Sequence, residues 1–135
     1  NDVLLIDDTY NANPQSMQNA LETLARIPST GERHAVLGQM GELGESAAQA
    51  HAEIGRLAAE LKIDALYLLG DMADLTAEAA KSAGLAPERI IQSESHEALA
   101  GSLRNRINKG DRVLVKGSRA AQMERVIELL EEGSP

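Results

Sequence analysis

The sequence predicts an α/β fold of three layers, in which a mostly parallel sheet carries helices on both faces. Short apolar runs of strand length alternate five times with longer segments whose apolar residues recur at helical spacing. Turn-forming Gly, Pro, Asp and Asn residues separate these segments. Such alternation is typical of right-handed βαβ units, whose strands run parallel. The 135 residues can bury a sizeable core and are expected to form one domain, residues 1–135.

Each predicted strand is a short run rich in Val, Ile, Leu or Ala. Continuous apolar runs are typical of strands covered on both faces, as parallel strands are. The five runs are residues 3–7, 34–38, 65–70, 89–91 and 113–115.

Local signals predict where the helices begin and end. Asn13 is a suitable N-cap before Pro14, a residue that favours the first helical position. Ser46 and Gln49 have the spacing of a capping box. The predicted helices are residues 14–27, 46–62, a third that Asp71 caps and Gly84 ends, 95–108, and a last one with Met123, Val126, Ile127 and Leu130 inward, before a frayed end at 131–135.

Composition excludes several classes of function. The formal net charge is −8, so neither nucleic acid nor an anionic membrane is an expected partner. The chain has no cysteine, which removes disulfides, thiol nucleophiles and cysteine metal sites. It shows neither a signal peptide nor an apolar stretch of membrane-spanning length. Because it begins at Asn1 rather than Met, we expect it to be a piece of a longer protein.

In sheets of this kind, ligands bind beyond the carboxyl ends of the strands. Polar residues follow the predicted strands at that edge, in three loops that stand out. The loop after the first strand can bind a nucleoside: Asp7 or Asp8 can accept ribose hydroxyls, and Tyr10 can stack on a base. In the structural alternative, Asn13 only caps a helix and Tyr10 packs against it, while the aspartates accept bonds from loop amides.

The second loop, residues 38–44, has three glycines in seven residues, which permits close backbone approach or a positive φ. His51 follows at the edge of the apolar face of the second helix. In the alternative interpretation this loop is a flexible connection with Glu42 in solvent and His51 half-buried.

The third loop, residues 116–119, places Lys116 and Arg119 on either side of Ser118, a possible cap for the last helix. Free backbone N–H groups at a helix start favour an anion, and two cations flank them. We therefore predict a carboxylate or phosphate site here, rather than a simple cap with Arg119 on the surface.

Other motifs of catalysis are missing from the sequence. There is no P-loop and no dinucleotide fingerprint. The histidines His34, His51 and His96 lack metal-ligand spacing, so no metal site is predicted. No nucleophile, base and orienting group can be assembled. The chain is expected to bind a ligand at its rim and to be inactive alone.

Three segments and the residues that follow two of them resemble the C-terminal domain of the Mur ligases, and among them the members that add D-alanyl-D-alanine to UDP-N-acetylmuramoyl-tripeptide. The resemblance runs in order along nearly the whole chain. The segments are Asp-Thr-Tyr-Asn-Ala-Asn-Pro at 8–14, Val-Leu-Gly-Gln-Met-Gly-Glu-Leu-Gly at 36–44 followed by His51, Ile54 and Gly55, and Val-Leu-Val-Lys-Gly-Ser-Arg at 113–119 followed by Met123 and Glu124.

The resemblance implies a Rossmann-like domain of a three-domain cytoplasmic enzyme of peptidoglycan synthesis. The first domain would hold the UDP-sugar peptide, and the central one would carry the P-loop, ATP and Mg²⁺. The third, like this chain, would close over ATP and present D-Ala-D-Ala. The reaction would proceed through an acyl phosphate. The expected partners are these substrates and the other domains of the same chain, in a monomer.

The resemblance also implies roles for individual residues. Gln39 departs from it, since members of this group often have Asp there; the orientation of the dipeptide amine would then pass to Gln39 or Glu42. The implied sets are Asp8, Tyr10, Asn11 and Asn13 facing ATP; Lys116, Gly117, Ser118 and Arg119 binding the dipeptide; and Gln39, Met40, Glu42, Leu43 and His51 on the closing face.

Two other functions fit parts of the pattern. Paired Asp7 and Asp8, with Asp71 and Lys116 after later strands, also resemble a phospho-acceptor receiver domain. A stand-alone nucleotide-binding module is the second alternative.

Overall fold

The computed structural model describes residues 3–132 and shows a five-stranded sheet in which every neighbouring pair is parallel. The chain start at Asn1 and the last part of the expected frayed end, residues 133–135, lie outside that range. The strands lie in the order β1-β5-β2-β3-β4. They are β1 (Leu4–Asp8), β2 (Arg33–Leu37), β3 (Ala65–Leu69), β4 (Ile90–Ser93) and β5 (Arg112–Lys116).

Within residues 3–132, five α-helices connect or follow the strands. Three short 3₁₀ turns, Gly44–Ser46, Pro87–Arg89 and Arg119–Ala121, precede α2, β4 and α5. None of the helices within residues 3–132 is long and apolar enough to cross a bilayer. The helices are α1 (Pro14–Arg26), α2 (Ala47–Glu60), α3 (Ala73–Ser82), α4 (His96–Arg104) and α5 (Glu124–Glu132).

Two apolar cores lie on opposite faces of the sheet, because successive side chains of a strand alternate between faces. In β3, Leu66 and Leu68 pack with α1, α2 and α3, whereas Ala65 and Tyr67 pack with α4 and α5. The predicted three-layer α/β class is therefore confirmed.

Two glycines let the ends of β2 and β5 approach each other closely. The Gly38 N–H donates to the Lys116 carbonyl at 2.8 Å, which continues the pairing beyond the strands. A Cβ added at Gly38 or Gly117 would come within 2.7 or 2.6 Å of the Met123 Cγ atom. Met123 therefore packs beneath both glycines and fixes the loops that leave this edge.

The predicted helix caps at Ser46 and Asp71 do not form. Ser46 has a helical backbone and its hydroxyl donates to the Leu43 carbonyl at 2.8 Å, since the 3₁₀ turn leads straight into α2. The cap position of α3 is Met72 rather than Asp71, and the Gly70 carbonyl accepts the N–H of Ala73. α4 also ends at Arg104, earlier than the predicted Asn108.

The strand order contradicts the receiver-like alternative. In receiver domains of the 2-1-3-4-5 order, the first and third strands are neighbours. Here β5 and β2 separate β1 from β3. Asp7 and Asp8 therefore do not lie on a strand adjacent to the one that precedes Asp71.

Candidate functional site

A cleft of about 1140 Å³ opens at the carboxyl edge of the sheet. All three loops that the sequence singles out contribute to it, together with the β3–α3 connection and the start of α4. Its polar lining residues are Asn11, Asn13, Gln39, Glu42, Asp71, His96, Ser118 and Arg119. The three loops converge on one rim of the sheet, as the sequence predicts.

Asn13 is the N-cap of α1, as the sequence predicts. Its side-chain oxygen accepts the Ser16 N–H at 2.8 Å, and the Ser16 hydroxyl accepts the Asn13 N–H at 3.0 Å. This reciprocal pair fixes where the loop ends and the helix begins. Asn13 lines the cleft with its neighbour Ala12, which is buried.

Tyr10 and Arg119 meet across the mouth of the cleft. Tyr10 is 74% exposed, and the Arg119 guanidinium carbon lies 5.1 Å from the centroid of its ring. This cation–π geometry brings together a loop after β1 and a loop after β5. Tyr10 thus packs on an arginine, not on a helix as the structural alternative predicts.

Asp7 and Asp8, the paired aspartates, make different contacts. Asp7 accepts hydrogen bonds from the N–H and the hydroxyl of Thr9, at 3.3 and 2.7 Å. Asp8 points to the α1 face, where its carboxylate lies 3.0 Å from the Lys116 ammonium. Asp8 therefore lies beside the cleft, in a different depression from Asn11 and Asn13.

His51 lies beneath the second loop, and the expectation that it lines the closing face is wrong. Its ring is buried, Nε2 accepts the Met40 N–H at 3.0 Å, and Nδ1 donates to the Ala47 carbonyl at 2.7 Å. Met40, Glu42 and Leu43 do line the cleft. His51 contacts this loop through the backbone N–H of Met40.

Gln39 and Glu42 differ in how free their side chains are. Gln39 Oε1 accepts the Asp71 N–H at 3.1 Å, beside Gly70 with its φ of +120°. Glu42 is exposed and holds a φ of +57°, a conformation that non-glycine residues rarely adopt. Gln39 therefore fixes the neighbouring turn, while Glu42 lines the cleft as an exposed residue.

Ser118 caps the 3₁₀ turn Arg119–Ala121 and not α5, which begins at Glu124. Its hydroxyl accepts the Ala121 N–H at 3.3 Å. Arg119 lines the cleft, whereas Lys116 is buried and lies on the α1 side of the sheet. The two cations predicted to act together thus point to different places.

Sequence reasoning missed His96 as a residue of this rim. Its Nε2 donates to the Ala121 carbonyl at 2.8 Å, which ties the start of α4 to the turn that carries Arg119. His96 begins α4, and no local pattern indicates this contact, because Ala121 lies 25 residues further along the chain.

A second polar cluster lies at the opposite, amino edge of the sheet. His34 Nε2 lies 2.8 Å from Asp111 Oδ2, and Nδ1 lies 2.9 Å from the Tyr67 hydroxyl. Glu32, His34 and Asp111 are the one group of acids and histidines within residues 3–132 with ligand atoms close enough to share a metal ion. Both ring nitrogens of His34 already have protein partners, so the group serves as a structural network.

Burial and hydrogen bonding shift two pKa values in this cluster. Burial opposes ionisation of Asp111, but bonds from the Glu32 and Asn108 amides and from His34 outweigh it, and the pKa of Asp111 is lowered. Burial raises the pKa of Tyr67 to about 12. The cluster therefore favours an ionised Asp111 and a neutral Tyr67.

Comparison with known proteins agrees with these motifs. The model of the family "Mur ligase, glutamate ligase domain" matches residues 1–119. The UDP-N-acetylmuramoyl-tripeptide–D-alanyl-D-alanine ligase of Mycobacterium tuberculosis is 38% identical over 146 residues, covering 95% of this chain and 28% of the relative.

Crystal structures of MurF ligases share the fold. That of MurF ligase from Thermotoga maritima in complex with ADP has a TM-score of 0.80 at 36% identity, and covers 97% of this chain and 28% of that one. A structure of MurF from Acinetobacter baumannii has a TM-score of 0.84 at 32% identity, with 96% and 28% coverage. The chain thus spans somewhat more than a quarter of these proteins, and it belongs to the Mur ligase, glutamate ligase domain, family.

Proposed function

We propose that this chain is the C-terminal, closing domain of an ATP-dependent ligase that adds D-Ala-D-Ala to UDP-N-acetylmuramoyl-tripeptide. The observation that carries the proposal is the single cleft onto which the family-like loops converge. The names of the relatives, which are ligases of this specificity, support it. The enzyme acts as a monomer in the cytoplasm, where ATP is supplied.

In the proposed reaction, the terminal carboxylate of the tripeptide is activated as an acyl phosphate at the expense of ATP. The amine of D-Ala-D-Ala attacks the acyl carbon, and inorganic phosphate leaves as the new peptide bond forms. The contribution of this domain is to position the amine and to exclude water when it closes, since both lower the barrier without a new chemical group.

Arg119 and Ser118 are the proposed site for the carboxylate of the dipeptide, and Gly117 precedes them as a buried residue that leaves room for Met123. Arg119 brings a positive charge to a rim with Glu42 and Asp71, in a chain of net charge −8. A guanidinium can bind a carboxylate through two parallel hydrogen bonds. The exposed carboxylate of Glu42 is the proposed partner of the dipeptide amine.

Tyr10, Asn11 and Asn13 are the proposed ATP-facing residues; Asp8, expected among them, instead pairs with Lys116 in a depression beside the cleft. Tyr10 is exposed enough for a base to stack on its ring. The relative solved with ADP supports a nucleotide at this enzyme. The sequence has no P-loop, so we assign the metal and the phosphates to the rest of the enzyme.

The direct test uses the full-length enzyme with ATP, Mg²⁺, UDP-N-acetylmuramoyl-tripeptide and D-Ala-D-Ala. We expect mass spectrometry to show the pentapeptide product. When D-Ala replaces the dipeptide, we expect no ligated product. Residues 1–135 alone should yield no product and should bind ATP weakly. No product from the full-length enzyme would refute the proposal. Tight ATP binding by residues 1–135 would favour the stand-alone nucleotide-binding module.

A further inference from the structure

Lys116 is the last residue of β5, and its side chain is only 3% exposed. Its partner in the sheet register is Asp8, the last residue of β1. Both side chains point to the α1 face, as Ile6 and Leu114 do two residues earlier. A buried ammonium group costs free energy unless it is paired and hydrogen-bonded, so its contacts are informative.

The recorded contacts of this ammonium group both lead to the β1–α1 connection. Lys116 Nζ lies 3.0 Å from Asp8 Oδ2 and donates to the Asn11 carbonyl at 2.9 Å. Asn11 begins the segment that continues through buried Ala12 to the helix cap Asn13, and all three line the cleft. One cation thus ties the end of β5 to the backbone of the loop on the other side of the rim.

Lys116 itself does not line the cleft. It lies in a separate depression of about 320 Å³ that α1 forms with β1 and β5, together with Asp8. Ser118 and Arg119 do line the cleft. A ligand in the cleft can therefore contact these two residues without touching Lys116.

We propose that Lys116 is a positioning residue for the nucleotide-facing side of the cleft and does not bind the dipeptide. The inference rests on the proposed function, in which Asn11 and Asn13 face ATP. By holding the Asn11 carbonyl, Lys116 sets the path of the backbone up to the cap of α1. Its loss therefore impairs the use of ATP and leaves dipeptide binding intact.

The test compares Lys116→Met and Lys116→Arg in the full-length enzyme. Met keeps the apolar stem and removes the charge, while Arg keeps the charge and has the neighbouring depression to occupy. We expect Lys116→Met to raise the KM for ATP roughly tenfold and to change the KM for D-Ala-D-Ala less than about twofold. Lys116→Arg should have a KM for ATP close to that of the parent enzyme. Lys81→Met, on α3, controls for removal of a lysine that lies outside the rim.

Hydrogen exchange in the full-length enzyme without substrates gives a second readout. Peptides that cover residues 9–13 should exchange faster in Lys116→Met than in the parent or in Lys81→Met, because the anchor of the Asn11 carbonyl is gone. Hydrogen exchange tests the role of Lys116 even if the turnover of Lys116→Met is too slow for its KM values to be measured. If the Met variant does not fold, Lys116→Leu, which also removes the ammonium group, takes its place in the same comparison.

Two results would overturn the proposal. One is a raised KM for D-Ala-D-Ala with an unchanged KM for ATP, which would make Lys116 a ligand of the dipeptide. The other is unchanged exchange across residues 9–13 in a folded variant that lacks the ammonium group. If the parent enzyme does not use D-Ala-D-Ala, the proposed function fails, but the exchange experiment still decides the role of Lys116.

Discussion

Tyr10 and Arg119 are separated by most of the chain, yet the guanidinium carbon of Arg119 lies 5.1 Å from the centroid of the Tyr10 ring. One residue follows β1 and the other follows β5, and these strands are neighbours in the sheet. The contact therefore couples the proposed ATP-facing loop to the proposed dipeptide site. At an exposed position such an interaction contributes about 0.5–1 kcal/mol.

Arg119→Ala in the full-length enzyme should raise the KM for D-Ala-D-Ala by at least about tenfold, because a charge-assisted bond to a carboxylate is lost. The KM for ATP should change much less. Steady-state kinetics with each substrate varied in turn give both values. Tyr10→Leu is the matched variant: it leaves the guanidinium but removes the ring, and should raise the dipeptide KM only about two- to fivefold.

Unchanged dipeptide kinetics in Arg119→Ala would show that the dipeptide carboxylate binds elsewhere on the rim. A rise in KM for Arg119→Ala with no change for Tyr10→Leu would instead show that the tyrosine does not orient the arginine.

Gly117→Ala should destabilise the folded domain, because the new methyl group would come within 2.6 Å of the Met123 Cγ atom and 3.1 Å of the Gly38 Cα atom. Overpacking of this kind costs about 1–3 kcal/mol. Urea unfolding of residues 1–135, followed by circular dichroism, measures the change.

Gly101→Ala is the control for the same substitution in open space. Gly101 lies within α4, and a Cβ there would meet nothing within 4 Å. Since glycine in a helix is less favourable than alanine, this variant should gain about 0.5–1 kcal/mol. Equal effects of both substitutions would contradict the packing of Met123 beneath the strand ends.

The alternation of strand and helix segments along the chain was enough to predict the parallel fold, and the cap at Asn13 could be predicted because it depends on neighbours within a few residues. The pairing of Asp8 with Lys116 needed the register of β1 against β5, which no local pattern encodes. His51 was misplaced for a similar reason: a polar ring at the edge of an apolar face can turn inward when a loop amide, here that of Met40, is there to donate to it.

The buried Asp111 should make the domain lose stability in acid. Its pKa is lowered in the folded state, so its contribution is present above the pKa of the unfolded chain and disappears as the pH falls through the folded value. Asp111→Asn should cost about 2–4 kcal/mol at neutral pH, because an amide cannot accept all three bonds.

The free energy of unfolding of both proteins, measured at a series of pH values, checks this. The difference between Asp111→Asn and the parent should shrink as the pH falls, since the parent aspartate is then protonated too. Glu53→Gln, at an exposed position on α2, controls for the loss of a carboxylate. A difference that stayed constant down to low pH would mean that the charge on Asp111 contributes nothing.

Tyr67 should resist ionisation until strongly alkaline pH, because burial raises its pKa to about 12. An unfolded tyrosine ionises near pH 10, so the stability that neutral Tyr67 contributes is complete below that pH and is lost as the pH rises toward 12. The chain has two tyrosines, so in Tyr10→Phe the phenolate absorbance comes from Tyr67 only. We expect the midpoint of the Tyr67 titration to lie well above that of free tyrosine, or to coincide with alkaline unfolding seen by circular dichroism. A midpoint near 10 in the folded protein would mean that water reaches the Tyr67 hydroxyl, and that its bond to His34 does not exclude solvent from the amino edge of the sheet.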